Sequence, residues 1–272
     1  MLPFLRPTSR WRAVGDTAWL IAFAIVLAFL VARSRASSML RDGVALELVA
    51  GVQQRVVYRG DGRLGRIEER VARVGQHWRV RQRFWLEGKG GGEGRSVLVG
   101  EVTLWLQADL TLLRVALWAE PGKLPAPSSF GRGLLRALGD RIEVNGRCDP
   151  QRGSCEVRGR IGGQVINERL QVGRGPVLPG AVYPLLARGV LGRRTELSIF
   201  DPLTMRARVV SYEVGPRREI VLRSGSYRAV RVVQEVDGLQ TEIWLDERGR
   251  PLLERLPFGV RVEHEAFGAP PR

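Results

Sequence analysis

Apolar and polar residues alternate with a period of two over most of this chain. The clearest run is Trp78–Leu86, where the even positions are apolar except for Gln82 and the odd positions are arginines except for Trp85. Because successive side chains of a strand point to opposite faces, this run predicts a β-strand with one buried face. Comparable runs predict further strands at Val56–Arg59, Leu64–Val74, Val97–Leu106, Leu112–Trp118, Arg141–Asn145, Glu156–Ile161, Gln164–Val172, Glu196–Phe200, Arg206–Val214, Glu219–Arg223, Tyr227–Val236, Leu239–Asp246, Leu252–Leu256 and Val260–Phe267.

The connections between these runs are short and rich in residues typical of tight turns. They include Asp61-Gly62, Asn145-Gly146, Asp237-Gly238 and the loop 246–249. Dipeptides of this kind favour two-residue hairpin turns, whereas parallel strands would need much longer crossovers. The sequence therefore predicts antiparallel meanders.

Two stretches, Ser129–Leu138 and Pro179–Leu191, break the alternation and carry apolar residues in helical order. Each predicts a short helix laid over the sheet. A sheet with one arginine-rich face must bury its other face, which a closed barrel, a sandwich or a helix-covered half-barrel would achieve. We expect a mainly β fold, a curved antiparallel sheet (half-barrel) with one or two short helices; an ordinary filled sandwich is the alternative.

The most apolar segment is Ala18–Ala32, fifteen residues without a charge that lie between arginines. As a helix it would cover roughly 22 Å, so it needs flanking residues to cross the ~30 Å hydrocarbon core of a bilayer. It predicts a single transmembrane signal anchor at 17–32. A signal peptide cleaved after Ala36 and a buried core helix are the alternatives. The remaining chain then divides into a cytoplasmic N-terminus (1–16), a linker (33–43) and an extracytoplasmic antiparallel β domain (44–272).

Cys148 and Cys155 are the only cysteines, and they flank a turn between two short alternating runs. This placement predicts a cross-strand disulfide, and two unrelated free thiols are the alternative. Because disulfides persist in oxidising compartments, the pair favours an extracytoplasmic domain. We therefore expect a single-pass protein of a bacterial inner membrane, with its C-terminal domain in the periplasm.

Positive charge dominates the composition, with 43 Lys+Arg against 28 Asp+Glu and a formal net charge of +15. In the envelope this excess favours contact with the inner membrane and with anionic lipid headgroups, lipopolysaccharide or peptidoglycan. Nucleic acid is not expected, because no nucleic-acid motif is present and the arginines alternate with acidic residues. Compositional bias with solvated side chains explains the excess equally well.

Few residues with catalytic potential are present. The two histidines, His77 and His264, lie outside any motif of nucleophilic catalysis, and no zinc-ligand spacing can be assembled. His264 is in step with Val260 and Val262, which predicts a core histidine, and His77 is interpreted as a solvated turn residue. We expect no catalytic activity, no metal and no cofactor.

Large apolar residues at strand positions could line a hollow that binds a lipid. Ordinary core packing is the default interpretation of such residues. The expected lining consists of Trp78, Val80, Phe84, Trp105 and Trp244, with Trp118 as a further candidate.

The segment Phe200–Gly259 resembles periplasmic β half-barrel domains of uncertain function and, more distantly, the lipoprotein carriers LolA and LolB. The residues that carry the resemblance are Asp201-Pro202, the strand Thr241–Asp246 and the turn Gly249–Pro251. The resemblance implies a curved antiparallel sheet wrapped around a helix, with an apolar hollow for acyl chains. The chain lacks a lipobox cysteine near Ser37, so lipid anchoring of the LolB kind is not expected.

Together these features predict a periplasmic lipid- or lipoprotein-binding module anchored in the inner membrane and without catalytic activity. Its ligand would be an acyl chain, a lipoprotein or an anionic lipid. The alternative is an envelope scaffold that docks another protein through its β domain. A membrane-anchored jelly roll of lipopolysaccharide export is a neighbouring possibility.

Overall fold

The computed structural model describes residues 48–87, 96–121, 141–161, 164–171, 179–201 and 206–268. The described chain is mainly β, with one α-helix, as the alternation predicts. The predicted segments at 1–16, 17–32, 33–43 and 129–138 lie outside the described residues. The elements are β1 Gly51–Arg59, β2 Gly62–Val74, β3 His77–Glu87, β4 Ser96–Leu106, β5 Leu112–Pro121, β6 Ile142–Asp149, β7 Ser154–Ile161, β8 Gln164–Gln171, α1 Pro179–Ala187, β9 Arg194–Asp201, β10 Arg206–Leu222, β11 Gly225–Val236, β12 Leu239–Leu245, β13 Pro251–Arg255, a 3-10 turn Pro257–Gly259 and β14 Val260–Gly268.

All 14 strands belong to one curved sheet, in which every neighbouring pair is antiparallel. The strand order is β8-β7-β6-β5-β4-β3-β2-β1-β14-β13-β12-β11-β10-β9. Strands adjacent in sequence are therefore adjacent in space, except for β8 and β9, and β1 and β14 pair to join the two halves of the sheet. This confirms the predicted meander and leaves β8 and β9 at the two edges.

Two local predictions need correction. The runs Arg206–Val214 and Glu219–Arg223 form one strand, β10, because a register shift between Val214 and Arg217 accommodates Gly215 and Pro216. A bulge can take a proline without losing a ladder hydrogen bond, so the Gly-Pro pair does not end the strand.

The second correction concerns Asn145-Gly146, which lies within β6 rather than in a turn. A Cβ at Gly146 would crowd the side chain of Val115 on β5, at 2.6 Å from its Cγ1. The glycine therefore serves close strand packing. The chain turns instead at 150–153, where the Asp149 carboxylate accepts a hydrogen bond from the N–H of Gln151.

The helix α1 covers one face of the sheet, which we call the concave face. All residues at 181–187 are buried, as expected for a helix that is apolar all round. Its C-terminus is closed by Gly189, which has a φ of +74°, so the helix is shorter than the predicted 179–191. At Pro184 its backbone lies against Gly249 in the turn between β12 and β13, where a Cβ would overlap it.

Among the described residues, none of the helical segments is both long enough and apolar enough to cross a bilayer.

Candidate functional site on the concave face

The concave face carries two apolar clusters. The first, which we call the helix cluster, joins α1 to strands of both halves of the sheet. The second, the Phe84 cluster, lies further along β1, β2, β3 and β14. Central members of the helix cluster are Val182, Leu186, Leu104, Leu106, Val210 and Ile243, and those of the Phe84 cluster are Val57, Ile67, Phe84, Leu86 and Val262.

A buried ionic network, which we call the Arg55 network, occupies the same face. Arg55 donates from Nη1 to Glu254 Oε1 at 3.0 Å and from Nη2 to Glu69 Oε2 at 3.4 Å. Gln82 donates to the same Glu69 oxygen, and Gln53 donates to the carbonyl of Pro251. The side chains of Arg55 and Glu254 are only 6% and 3% exposed, whereas Glu69 is 22% exposed.

Strand alternation places the Arg55 network between the two clusters. Along β2 the inward positions are Ile67 in the Phe84 cluster, then Glu69, then Val71 in the helix cluster. The directly paired positions on β1 and β3 are Gln53 and Gln82. A polar row therefore crosses an otherwise apolar face, and Glu69 is its most exposed carboxylate.

The Arg55 side chain retains hydrogen-bonding capacity. Its Nε–H is buried and has no acceptor among the described residues. A buried donor without a partner carries a desolvation penalty of about 1–3 kcal/mol, which an acceptor atom of a ligand would relieve. The network therefore contains one buried, unsatisfied donor between two buried apolar clusters.

His264 lies next to this network, directly opposite Arg55 on β14. Its side chain is buried, which confirms the predicted core position, and its ring packs edge-on against Tyr227 with centroids 5.6 Å apart. Burial, together with the positive charges of Arg250 and Arg55, lowers the pKa of His264 to about 4, against an opposing effect of Asp246. The imidazole is therefore neutral at physiological pH. His77, by contrast, lies exposed at the first position of β3.

Three of the five residues predicted to line a hollow lie on the concave face. Val80 belongs to the helix cluster, Trp78 packs against it, and Phe84 gives the second cluster its name. Phe84 faces Gly100 on β4, where any Cβ would overlap its ring. The missing side chain at Gly100 therefore provides the space that the Phe84 ring occupies.

Trp105 and Trp244 do not share this face. Trp105 alternates with Leu104 and Leu106, which point to the helix cluster, so its ring lies on the outer face beneath Arg114. Trp244 is buried in a separate cluster with Leu253 and donates from Nε1 to Glu242 Oε1 at 2.7 Å. The predicted lining is thus divided between the two faces. Trp118 also lies on the outer face, where it pairs with Glu101 and Glu143 on the neighbouring strands.

Cys148 and Cys155 are directly paired across β6 and β7 and lie at disulfide distance, with Cα atoms 4.0 Å apart. Cys155 is buried and Cys148 is half-buried. The hairpin predicted for this segment is confirmed, and its turn lies between the two cysteines. The pair is close to the β8 edge and remote in the strand order from Arg55 on β1.

The described residues bring together no group of three or more histidine, cysteine or acidic side chains that could hold a metal ion. The concave face brings buried apolar side chains and one buried guanidinium together.

Sequence reasoning missed the Arg55 network, because Arg55 and Glu254 are separated by 199 positions. A local signal exists nevertheless. Arg55 is two positions from Val57, and Glu69 is two positions from both Ile67 and Val71. Residues two apart point to the same face of a strand, so each charged residue stands where alternation predicts burial.

No protein-family model matches this chain, and no curated protein matches it. Its fold is similar to a crystal structure of a beta-barrel-like protein of domain of unknown function DUF1849 from Brucella abortus, with a TM-score of 0.52 and 12% sequence identity over 83% of this chain and 99% of that chain. A candidate lipoprotein from Parabacteroides distasonis gives a TM-score of 0.30 at 9% identity, over 82% of this chain and 97% of the other. The likeness to the Brucella protein is one of fold. A solved structure of a domain of unknown function thus shares the fold of this chain. A relationship with LolA and LolB stays a prediction.

Proposed function

We propose that this chain is a membrane-anchored, extracytoplasmic binding module that holds a lipid, or the acyl chains of a lipoprotein, against the concave face of its sheet. The observation that carries the proposal is the position of Arg55. Its guanidinium is buried between two apolar clusters and keeps one N–H without an acceptor among the described residues. Ligands with an apolar chain and an acceptor-rich head match this arrangement.

The two parts of the ligand would be held by different forces. Acyl carbons would pack on the clusters around Phe84 and Leu104, where each buried CH₂ contributes about 0.8 kcal/mol. An ester or phosphate oxygen would accept from Arg55 Nε, and hydrogen bonds from charged donors are stronger than neutral ones. Because Glu69 is the most exposed member of the Arg55 network, the head group would approach from its side.

The proposed compartment and anchor have separate support. The cysteine pair at disulfide distance is expected to oxidise outside the cytoplasm. The uncharged segment 18–32 suits a membrane anchor. We assign no catalytic step, because His264 is buried and kept neutral while His77 is remote from it in the strand order.

Lipid extraction from the purified full chain, followed by mass spectrometry, tests the proposal. The key variant is Arg55→Met/Glu254→Leu, which replaces the buried ion pair by apolar residues. The matched control is Arg70→Met/Glu68→Leu, which removes an exposed pair joined at 2.9 Å on the outer face. Lipid held around the apolar segment 18–32 is common to all three proteins, so the difference in their lipid content reports on the concave face.

We expect the wild type and the control to carry the same lipid in near-stoichiometric amount, and the Arg55 variant to lose it at least tenfold, which corresponds to about 1.4 kcal/mol. Equal lipid content in all three proteins, with unfolding midpoints showing all of them folded, would remove the proposal.

A scaffold function is the second candidate, and one observation favours it. The edge strand β8 carries Val165, whose side chain is 74% exposed. Free strand edges can pair with a strand of another protein. In this case a partner crosslinked to the full chain in membranes would be lost in Val165→Asp and retained in Arg55→Met/Glu254→Leu.

A further inference from the structure

The outer face of β2–β8 carries aligned rows of arginine, and we call this surface the arginine face. Strand register places one row across six strands, from Arg79 through Trp105, Arg114, Arg147 and Glu156 to Arg169. At about 4.8 Å per strand the row is about 24 Å long. Four of its six members are arginines and one, Glu156, is acidic, so the row carries a net positive charge spread over six strands.

Like charges face each other directly on this surface. Arg114 pairs with Arg147, and Arg70 pairs with Arg81 in the neighbouring row. Side chains at such positions have Cβ atoms about 5 Å apart, and like charges there are destabilising. Glu68 and Glu101 offset the charges of Arg70 and Arg81, so the repulsion that an anionic partner would relieve lies at Arg114 and Arg147.

Acidic residues of the arginine face neutralise only part of it. Glu101 binds Arg81 at 2.7 Å and Arg83 at 2.6 Å. Burial alone would raise the pKa of Glu101, but the hydrogen bonds and charges of these two arginines outweigh it and lower the pKa.

The remaining arginines are not compensated in this way. Arg79, Arg147, Arg158 and Arg169 are exposed, and none of them forms an ion pair with another described residue. Glu156 lies directly opposite Arg147 and Arg169 in the strand register but forms no ion pair with either, so these arginines can bind external anions.

Tryptophans alternate with these arginines and hold some of them in place. The guanidinium carbon of Arg66 lies 4.4 Å from the ring centroid of Trp85, and that of Arg114 lies 4.7 Å from Trp105. Amphipathic tryptophan rings beside basic side chains are typical of surfaces that meet lipid headgroups.

We propose that the arginine face docks onto a membrane surface of anionic phospholipid. The inference goes beyond the proposed ligand site, because it concerns the opposite face and does not require the concave face to bind anything. Basic side chains near an anionic surface each add to the attraction, so the exposed arginines of this face act together. If 17–32 is an anchor, the segment 33–47 reaches at most about 50 Å, which keeps this face within range of the bilayer.

Vesicle flotation of the full chain tests the inference with a matched pair of variants. The face variant is Arg79→Gln/Arg147→Gln/Arg158→Gln/Arg169→Gln. The control, Arg193→Gln/Arg218→Gln/Arg228→Gln/Arg248→Gln, removes the same number of exposed arginines outside β2–β8. Binding is compared between phosphatidylcholine vesicles and vesicles that contain phosphatidylglycerol. The apolar segment 18–32 is identical in every protein, so its contribution to vesicle binding cancels.

We expect the preference for phosphatidylglycerol vesicles to fall at least tenfold in the face variant and to change less than twofold in the control. The preference of the wild type should also disappear in high salt. Equal losses in the two variants, or none in either, would overturn the inference. Tighter binding of the wild type to purified lipopolysaccharide or to nucleic acid than to vesicles of equal phosphate content would overturn it as well.

Discussion

Arg55 and Glu254 form an ion pair that spans β14, with Arg55 Nη1 3.0 Å from Glu254 Oε1 and both side chains almost fully buried. The pair joins β1 to β13 and thereby connects the two halves of the sheet on the concave face. A buried pair of this kind gains little over apolar packing, because desolvation offsets its attraction. The pair instead joins β1 to β13 at one defined register, in keeping with the ligand site that we propose.

Loss of one partner of this pair should be far more damaging than loss of both. Arg55→Met removes the guanidinium that binds the buried Glu254 carboxylate, and we expect a loss of about 3–5 kcal/mol in the free energy of unfolding. The double change Arg55→Met/Glu254→Leu should recover most of that loss. Urea unfolding of the two variants measures both values.

The single change Arg70→Met serves as the control, because the pair of Arg70 with Glu68 is exposed and should contribute less than about 1 kcal/mol. Similar losses for Arg55→Met and Arg70→Met would contradict the burial of the Arg55 network.

The contact of Gly249 with Pro184 should fix α1 against the turn between β12 and β13. Gly249 has a φ of +81°, and its Cβ would also overlap the helix backbone. Gly249→Ala therefore combines backbone strain of about 1–2 kcal/mol with a packing clash of about 1–3 kcal/mol. Gly238→Ala is the matched control, since Gly238 has a φ of +77° but open space where its Cβ would lie among the described residues. Thermal unfolding should show a clearly larger loss for Gly249→Ala, and equal losses would argue against this docking of α1.

Oxidation of Cys148 and Cys155 should stabilise the β6–β7 hairpin. The two residues are separated by 7 positions, a loop for which closure contributes about 2 kcal/mol. Cys148→Ser/Cys155→Ser should lower the free energy of unfolding by that amount. Thiol alkylation before and after reduction, on protein taken from cells, reports on the compartment. Thiols that react without reduction would contradict an extracytoplasmic domain.

His264 should make the fold less stable as the pH falls from about 6.5 to about 4. In this window the unfolded chain binds a proton at His264 but the folded chain does not, because burial and the charge of Arg250 lower the pKa to about 4 in the folded state. The contribution of neutral His264 to the free energy of unfolding is therefore fully present above pH 6.5. It declines below that pH, by at most about 3 kcal/mol. Glu101 and Glu242, whose pKa values are lowered despite burial, add a further loss only below about pH 4.5. His264→Leu should flatten the stability curve between pH 6.5 and 4.5, and an unchanged slope would show that His264 is not the group responsible.

Alternation of side chains made most of the sheet predictable from the sequence. The one-sided run Trp78–Leu86 lies within β3, and Asp237-Gly238 forms the expected tight turn with both residues at positive φ. The failures occurred where long-range packing decided the outcome. Gly146 suggested a turn but is needed for the approach of Val115, and Pro216 suggested a strand end but sits in a bulge.

The candidate site was less predictable, because its defining contacts join distant parts of the chain. Trp105 was expected in the hollow on account of its size. Its spacing of two from Thr103 and four from Glu101 already placed it on the same face as these polar residues, which indicated the outer face. Arg55 and Glu69 stood at inward positions in the sequence, but their partner Glu254 could be identified only from the fold. The alternating position of a residue along its strand was thus a better guide to which face of the sheet it occupies than its residue type.

Photo-crosslinking with a fatty acid that carries a photoactivatable group on its chain tests the central claim most directly. The full chain is labelled in membranes, digested and mapped by mass spectrometry, with excess unlabelled fatty acid as competitor. We predict competable adducts on the concave positions of β1–β4 and on α1, foremost at Val57, Phe84 and Leu186. Adducts confined to the apolar segment 18–32 or to the outer face around Trp105 would contradict the account.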